Sequence, residues 1–410
     1  MFLLSKSVLA VAIVLLPFSY IKLVYNFSVS DMLFCFAFLF AIAHQLKSGK
    51  KIKNIFNDNI FLLPIIIYSI GFFISIDSSL NPIDGLFSFL QIIFMFTIIF
   101  YALKLNKLNE SFIYKLVYFY SIISILIAFV ILLYFFTGID YSYGLFFVKE
   151  GWGMVRFTYG NMEPNITARI MVQSAPILML FIFKNKNLFL KFLNILLFVL
   201  LVLVIILTGS RSGLILLLVG LFLFSLFSYR KNQRYDLMKI MIFFIILFFS
   251  MSKFYSSYNE TFDIYLKRYY TIFNPNTSDS SQERLFVLEK SLNFINDDPI
   301  VGLGLGNSDN LTGMAVHNSI IISWLENGIF GFLGFLMIYL IMIYYVLINY
   351  KHRFFDSNIL MVLSIIVIMM VLGDMFMPTS YKRSLWVIPI MFIVYSNYFI
   401  NKLNSYKNES

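Results

Sequence analysis

The chain has 410 residues, of which 60% are hydrophobic and 13% charged, with a mean hydropathy of +0.84 and a formal net charge of +10. A soluble domain of this size carries about twice that charged fraction. Here apolar residues run in blocks of roughly 18 to 25, enough to cross about 30 Å of hydrocarbon at 1.5 Å per residue. Blocks that are apolar on every face exclude a soluble globular fold and predict an all-α, polytopic integral membrane protein.

In chain order, twelve spans are expected at about 7–25, 29–46, 60–76, 82–103, 112–136, 165–183, 188–207, 213–229, 237–252, 328–350, 358–375 and 384–401. Lys6 and the apolar run after it superficially match a secretory signal. No small-residue cleavage site precedes Pro17, so an uncleaved first span is expected. The single cysteine, Cys35, lies inside an apolar block and can build no disulfide framework. Lysine and arginine gather at 47–53, 104–107, 184–186, 230–234 and 351–353, connections that share one face if twelve spans are present. By the positive-inside rule that face and both termini are cytoplasmic. The positive balance therefore reports orientation, and no nucleic-acid partner is expected.

Three outer segments stand apart. The first, about 137–164, holds Trp152, Arg156 and Glu163. The second is the tight turn Thr208-Gly209-Ser210-Arg211-Ser212-Gly213, where an arginine opens a helix otherwise almost free of charge. An arginine at a helix end snorkels to the interface in many proteins. A small, hydroxyl-rich turn at a helix N-terminus also suits an anion, and a planar guanidinium holds phosphate oxygens in pairs. The third segment, about 253–327, is the longest connection, and long structured loops are uncommon without a functional reason. Within it Ser281-Gln282-Glu283-Arg284 opens an amphipathic stretch with Leu285, Leu288, Leu292 and Ile295 at helical spacing, a helix expected along the membrane surface.

The run Gly302-Leu303-Gly304-Leu305-Gly306 lacks the spacing and the βαβ setting of a dinucleotide site, and its glycines are expected to let backbone approach backbone or a ligand. His317, beside Asn318, is the one histidine of three on the outer side. A lone histidine is more often structural than catalytic, yet imidazole is the natural general base for a hydroxyl nucleophile near pH 7. Glu326 is a candidate to orient it. Asp297-Asp298 has no histidine or glutamate at ligand spacing, so capping is preferred to metal binding, and no metal or other cofactor is expected.

The runs LTGSRSGLI, SQERL…DDPIVGLGLGN and VHNSIIISWLENGIFG together resemble the shared domain of O-antigen ligases and O-antigen or capsule polymerases, the Wzy_C-type domain. The matching core covers about 195–350, and RFTYGNMEPNITARI upstream resembles the family's stretch before a helix. The resemblance implies a GT-C-like glycosyltransferase of the bacterial plasma (inner) membrane, a single membrane domain over 1–410 with a large extracytoplasmic loop between helices 9 and 10. It implies an undecaprenyl-diphosphate-linked glycan as donor, inversion at the anomeric centre and no metal. By motif, Arg211 and Arg284 correspond to the arginines that hold the diphosphate, Arg156 corresponds more loosely, and His317 to the base that activates the acceptor hydroxyl. Ser210, Asn318 and Glu326 are supporting candidates. Membrane lipid and a chain-length regulator protein are the implied partners. Polymerase is preferred to ligase on the GLGLGN…HNSIIISWLENGIFG run. A lipid-linked oligosaccharide flippase is the alternative of another class, for which repeat symmetry and charge at the midplane would speak; Arg169 is expected one turn inside the sixth span.

Overall fold

The computed structural model describes residues 1–19, 21–24, 27–51, 56, 59–137, 149–151, 154–159, 162–228, 268–272, 279–352 and 358–409. Among these the chain is almost wholly helical, with two short two-stranded ribbons as the strands. Among the described residues seven helices are long and apolar enough to cross a membrane, and four shorter apolar helices accompany them. The expected span at 237–252 lies outside the described residues, as do Trp152 and most of 253–278. Each of the other expected spans falls on a helix.

The first unit comprises 1–116, 280–352 and 370–410. Its first helix, α1 (Phe2–Val14), stops well short of the expected residue 25. Pro17 cannot continue the helical hydrogen-bond ladder and disfavours helix in the residue before it. A ribbon of β1 (Lys22–Val24) and β2 (Phe27–Ser28) follows, and α2 (Val29–Lys47) opens on a capping box between Ser28 and Asp31. Next come α3 (Leu62–Ser75) and α4 (Pro82–Leu105), and then α5 (Glu110–Thr137), which continues beyond this unit. Asp31 pairs with Arg383 at 2.7 Å, joining α2 to the later helix Arg383–Glu409.

The second unit comprises 117–279 and 353–369. It holds the ribbon of β3 (Lys149–Gly151) and β4 (Met154–Arg156), then α6 (Pro164–Lys184), α7 (Leu188–Leu207) and α8 (Arg211–Phe227). Nearly every residue of α6 is buried, including Arg169 in its second turn. A Cβ on Gly213 would lie 2.7 Å from the Ala168 Cβ, so α8 reaches α6 at a distance that only a missing side chain permits.

Long-loop residues 279–327 belong, from 280 onward, to the first unit. They form α9 (Asp279–Asp297) and the short α10 (Ser308–Thr312), and they enter α11 (Ser319–Lys351). The helical expectation holds, but its buried stripe shifts. Val287, Ser291 and Ile295 face inward, whereas Leu285 and Leu292 are exposed. Val287 and Ile295 pack with Val316, Ile322 and Leu325, so the helix turns toward the start of α11 the face that meets these partners. α11 is also longer than the expected span. Asn327 and Gly328, at φ −120° and +62°, divide it into a short outer helix and the long apolar one.

Candidate functional site

In the second unit, the connection between α7 and α8 gathers three arginines. A helix leaves its last four carbonyls without intrahelical partners. Here the carbonyl oxygens of Ile206 and Leu207, of the C-cap Thr208 and of Gly209 just beyond it each receive a donor from another segment. The Tyr269 hydroxyl donates to Ile206 at 2.9 Å and the Phe157 N–H to Leu207 at 3.2 Å. Arg156 Nε donates to Thr208 at 2.9 Å and Arg268 Nε to Gly209 at 2.7 Å. Gly209 turns the chain at φ +60°, and Ser210 caps α8 by accepting the Gly213 N–H at 3.1 Å. Arg211 then opens α8, and its Nη1 donates to the Thr271 hydroxyl at 2.8 Å.

Each arginine is half-buried and oriented by a named bond. Arg156 is held a second time, its Nη2 donating to Asn165 Oδ1 at 2.9 Å. The turn thus brings together Arg156, Ser210 and Arg211 as singled out in the sequence. Ser210 is fully buried and acts there as the helix cap. The site adds Arg268, which sequence reasoning passed over. Its signal was the basic pair Lys267-Arg268 in a loop that otherwise leans acidic.

In the first unit, α9 carries a half-buried Arg284, and His317 precedes α11. The imidazole Nδ1 is buried and has no hydrogen-bond partner among the described residues. Burial first, and the Arg284 guanidinium second, push the His317 pKa down to about 4. The ring is therefore neutral through the physiological range, and a weaker base than a free imidazole. Asn318 takes a different part. Its Oδ1 accepts the N–H groups of Ile320 and Ile321, at 2.9 and 3.1 Å, and so caps α11.

Glu326 departs from its expected role. Its Oε1 accepts the Ser308 hydroxyl at 2.7 Å and its Oε2 the Tyr381 hydroxyl at 3.0 Å. The carboxylate is fully buried at the break in α11, where these hydroxyls, rather than the imidazole, satisfy it. The glycine run serves the same corner. Leu303 and Gly304 donate their N–H groups to the Leu325 and Glu326 carbonyls, at 2.8 and 2.9 Å. Gly302, Gly304 and Gly306 lie at φ +80°, +86° and +84°. A Cβ on Gly302 would sit 2.5 Å from the Gly328 nitrogen and one on Gly304 2.6 Å from the Ser79 Cα, so the close approach of these two is to backbone, whereas Gly306 faces open space. Asp298 accepts the Val301 N–H at 3.1 Å, which makes it a turn cap.

Compared with known proteins, residues 196–336 match the family described as O-antigen ligase (Wzy_C). The matched segment includes the α7–α8 turn, α9, the glycine run and His317. No curated protein matches the chain in sequence.

Proposed function

We propose that the protein is a polymerase of lipid-linked oligosaccharide repeat units, of O-antigen or capsule, on the outer face of the bacterial plasma membrane. It transfers glycan from an undecaprenyl-diphosphate donor to a sugar hydroxyl of the acceptor. The observation that carries this reading is the set of oriented guanidiniums on the α7–α8 turn, of which Arg211 and Arg268 lie inside the segment that matches the O-antigen ligase family and Arg156 lies upstream of it.

As the bond between C1 and the diphosphate oxygen breaks, negative charge builds on the leaving diphosphate. Donors already aimed at that charge stabilise the transition state without reorganising. Arg211 and Arg156 are assigned that role from the turn, and Arg284 is a phosphate ligand by the family resemblance. The acceptor oxygen attacks C1 from the face opposite the diphosphate, which inverts the anomeric centre. Its proton passes to His317, kept neutral by burial. Undecaprenyl diphosphate leaves. Guanidinium supplies the positive charge in this scheme, so the reaction should proceed undiminished in EDTA.

Twelve spans in a GT-C-like arrangement, both termini in the cytoplasm and a chain-length regulator as partner complete the proposal. A ligase, which hands finished polymer to lipid A-core sugar, is the alternative, and the family's description carries that name. A gel of lipid-linked and surface glycan from cells lacking the chain separates these readings. Single repeat units on the final acceptor support a polymerase, and long chains stranded on undecaprenyl diphosphate a ligase. Donor units trapped on the inner leaflet would indicate a flippase instead. Reintroduced Arg211→Ala or His317→Ala should leave that profile uncorrected while the protein still inserts; normal polymer from either removes that residue from the site.

A further inference from the structure

We infer that the segment from Arg268 to Thr271 is a positioning device for prenyl diphosphate, restricting the orientation of the Arg211 guanidinium. The inference rests on the proposed role of Arg211 as a ligand of that diphosphate.

Three bonds form the device. Arg268 Nε donates to the Gly209 carbonyl at 2.7 Å and anchors the segment on the end of α7. The Thr271 hydroxyl donates back to the Arg268 carbonyl at 2.6 Å. Its oxygen then accepts from Arg211 Nη1 at 2.8 Å. Because the hydroxyl proton is committed to the carbonyl, the oxygen faces Arg211 with its lone pairs alone. The direction of each bond is therefore set, from guanidinium to hydroxyl to carbonyl. Tyr269 adds a second anchor through its hydroxyl to Ile206 at 2.9 Å, so the short segment is tied to α7 at two points.

Capping alone does not account for this arrangement. One donor on each carbonyl would complete the end of α7, and Tyr269, Phe157, Arg156 and Arg268 provide those. The bond that Thr271 accepts from Arg211 caps no carbonyl of α7. It holds a terminal nitrogen of the guanidinium and so restricts the orientations open to its other N–H groups. An arginine otherwise samples many rotamers, and a planar fork binds paired phosphate oxygens well only in one plane. Arg268 and Thr271 are thus positioning residues that act through Arg211.

The test uses the full-length protein in lipid nanodiscs, with undecaprenyl diphosphate as the probe. Thr271→Val keeps the shape and removes the hydroxyl. It should weaken binding by roughly tenfold, the scale of a hydrogen bond to a charged group. Thr271→Ser should restore it, and the thermal unfolding midpoint should stay near wild type in both. In an Arg211→Lys background, which lacks the fork, Thr271→Val should cause little further loss. Wild-type affinity in Thr271→Val, failure of Thr271→Ser to restore binding, or full additivity with Arg211→Lys overturns the inference. If Thr271→Val does not insert, Thr271→Ala runs the same cycle. Unchanged binding in Arg211→Ala would instead overturn the underlying assignment of the diphosphate, which keeps the two failures apart.

Discussion

Replacing Arg284 by glutamine tests whether the pair on the first unit works as described. The His317 pKa is depressed from 6.5 to about 4, with burial the larger cause and the Arg284 charge the smaller. At 1.36 kcal/mol per unit, the environment disfavours the imidazolium by about 3 kcal/mol. Because Arg284 supplies the lesser share, its removal should raise that pKa by no more than about one unit. A base must be unprotonated to work, so activity should be level from pH 8 down to about 5 in the wild type and fall as pH approaches 4. In Arg284→Gln the acid limb should move upward, whatever happens to the maximal rate. Initial rates of glycan transfer in proteoliposomes between pH 4 and 8 would measure both limbs. A wild-type limb near 6.5, or a limb that stays in place in Arg284→Gln, refutes the reasoning. The linkage has the matching sign. Below pH 6.5 the unfolded chain binds a proton that the folded chain resists, so stability is lost as pH falls from 6.5 through about 4.

Glu326→Ala should lower stability by about 2 kcal/mol or more, because the Ser308 and Tyr381 hydroxyls lose their buried acceptor; an unchanged thermal midpoint in detergent would contradict this. Gly328→Ala should prevent accumulation in the membrane. Its φ of +62° and ψ of −163° suit glycine, and a Cβ there would overlap the Ile300 carbonyl oxygen. A normal level on an immunoblot of membranes would argue against that conclusion.

Much of the helical layout was legible in the sequence because a membrane imposes a one-dimensional rule. Backbone polar groups must be satisfied within each span, and about 20 apolar residues are needed to cross. The departures occur where local chemistry overrides hydropathy. Apolar character runs past Pro17, but the helix does not, since proline lacks the N–H that the ladder requires. Leu285 and Leu292 lie on a helical period with Ile295, yet the face chosen for burial is the one carrying Val287 and Ser291. Periodicity identified the helix, and partners on α11 decided its rotation.

The site was legible in its residue types and less so in its bonds. Arg211 and Arg156 lie 55 positions apart in the sequence, and no spacing rule links them; the shared end of α7 does. Asn318 and Glu326 lay near His317 in sequence and drew roles from it, but both are satisfied by helix ends and hydroxyls. The identity of the basic residues becomes intelligible only with the carbonyls in view. Arg156 and Arg268 each commit Nε to the end of α7, and Arg156 also commits Nη2 to Asn165. Lysine has one ammonium head, which would have to serve either the helix or an anion. Arginine divides the two roles among separate nitrogens, so a helix that needs capping can also orient cationic groups at its end.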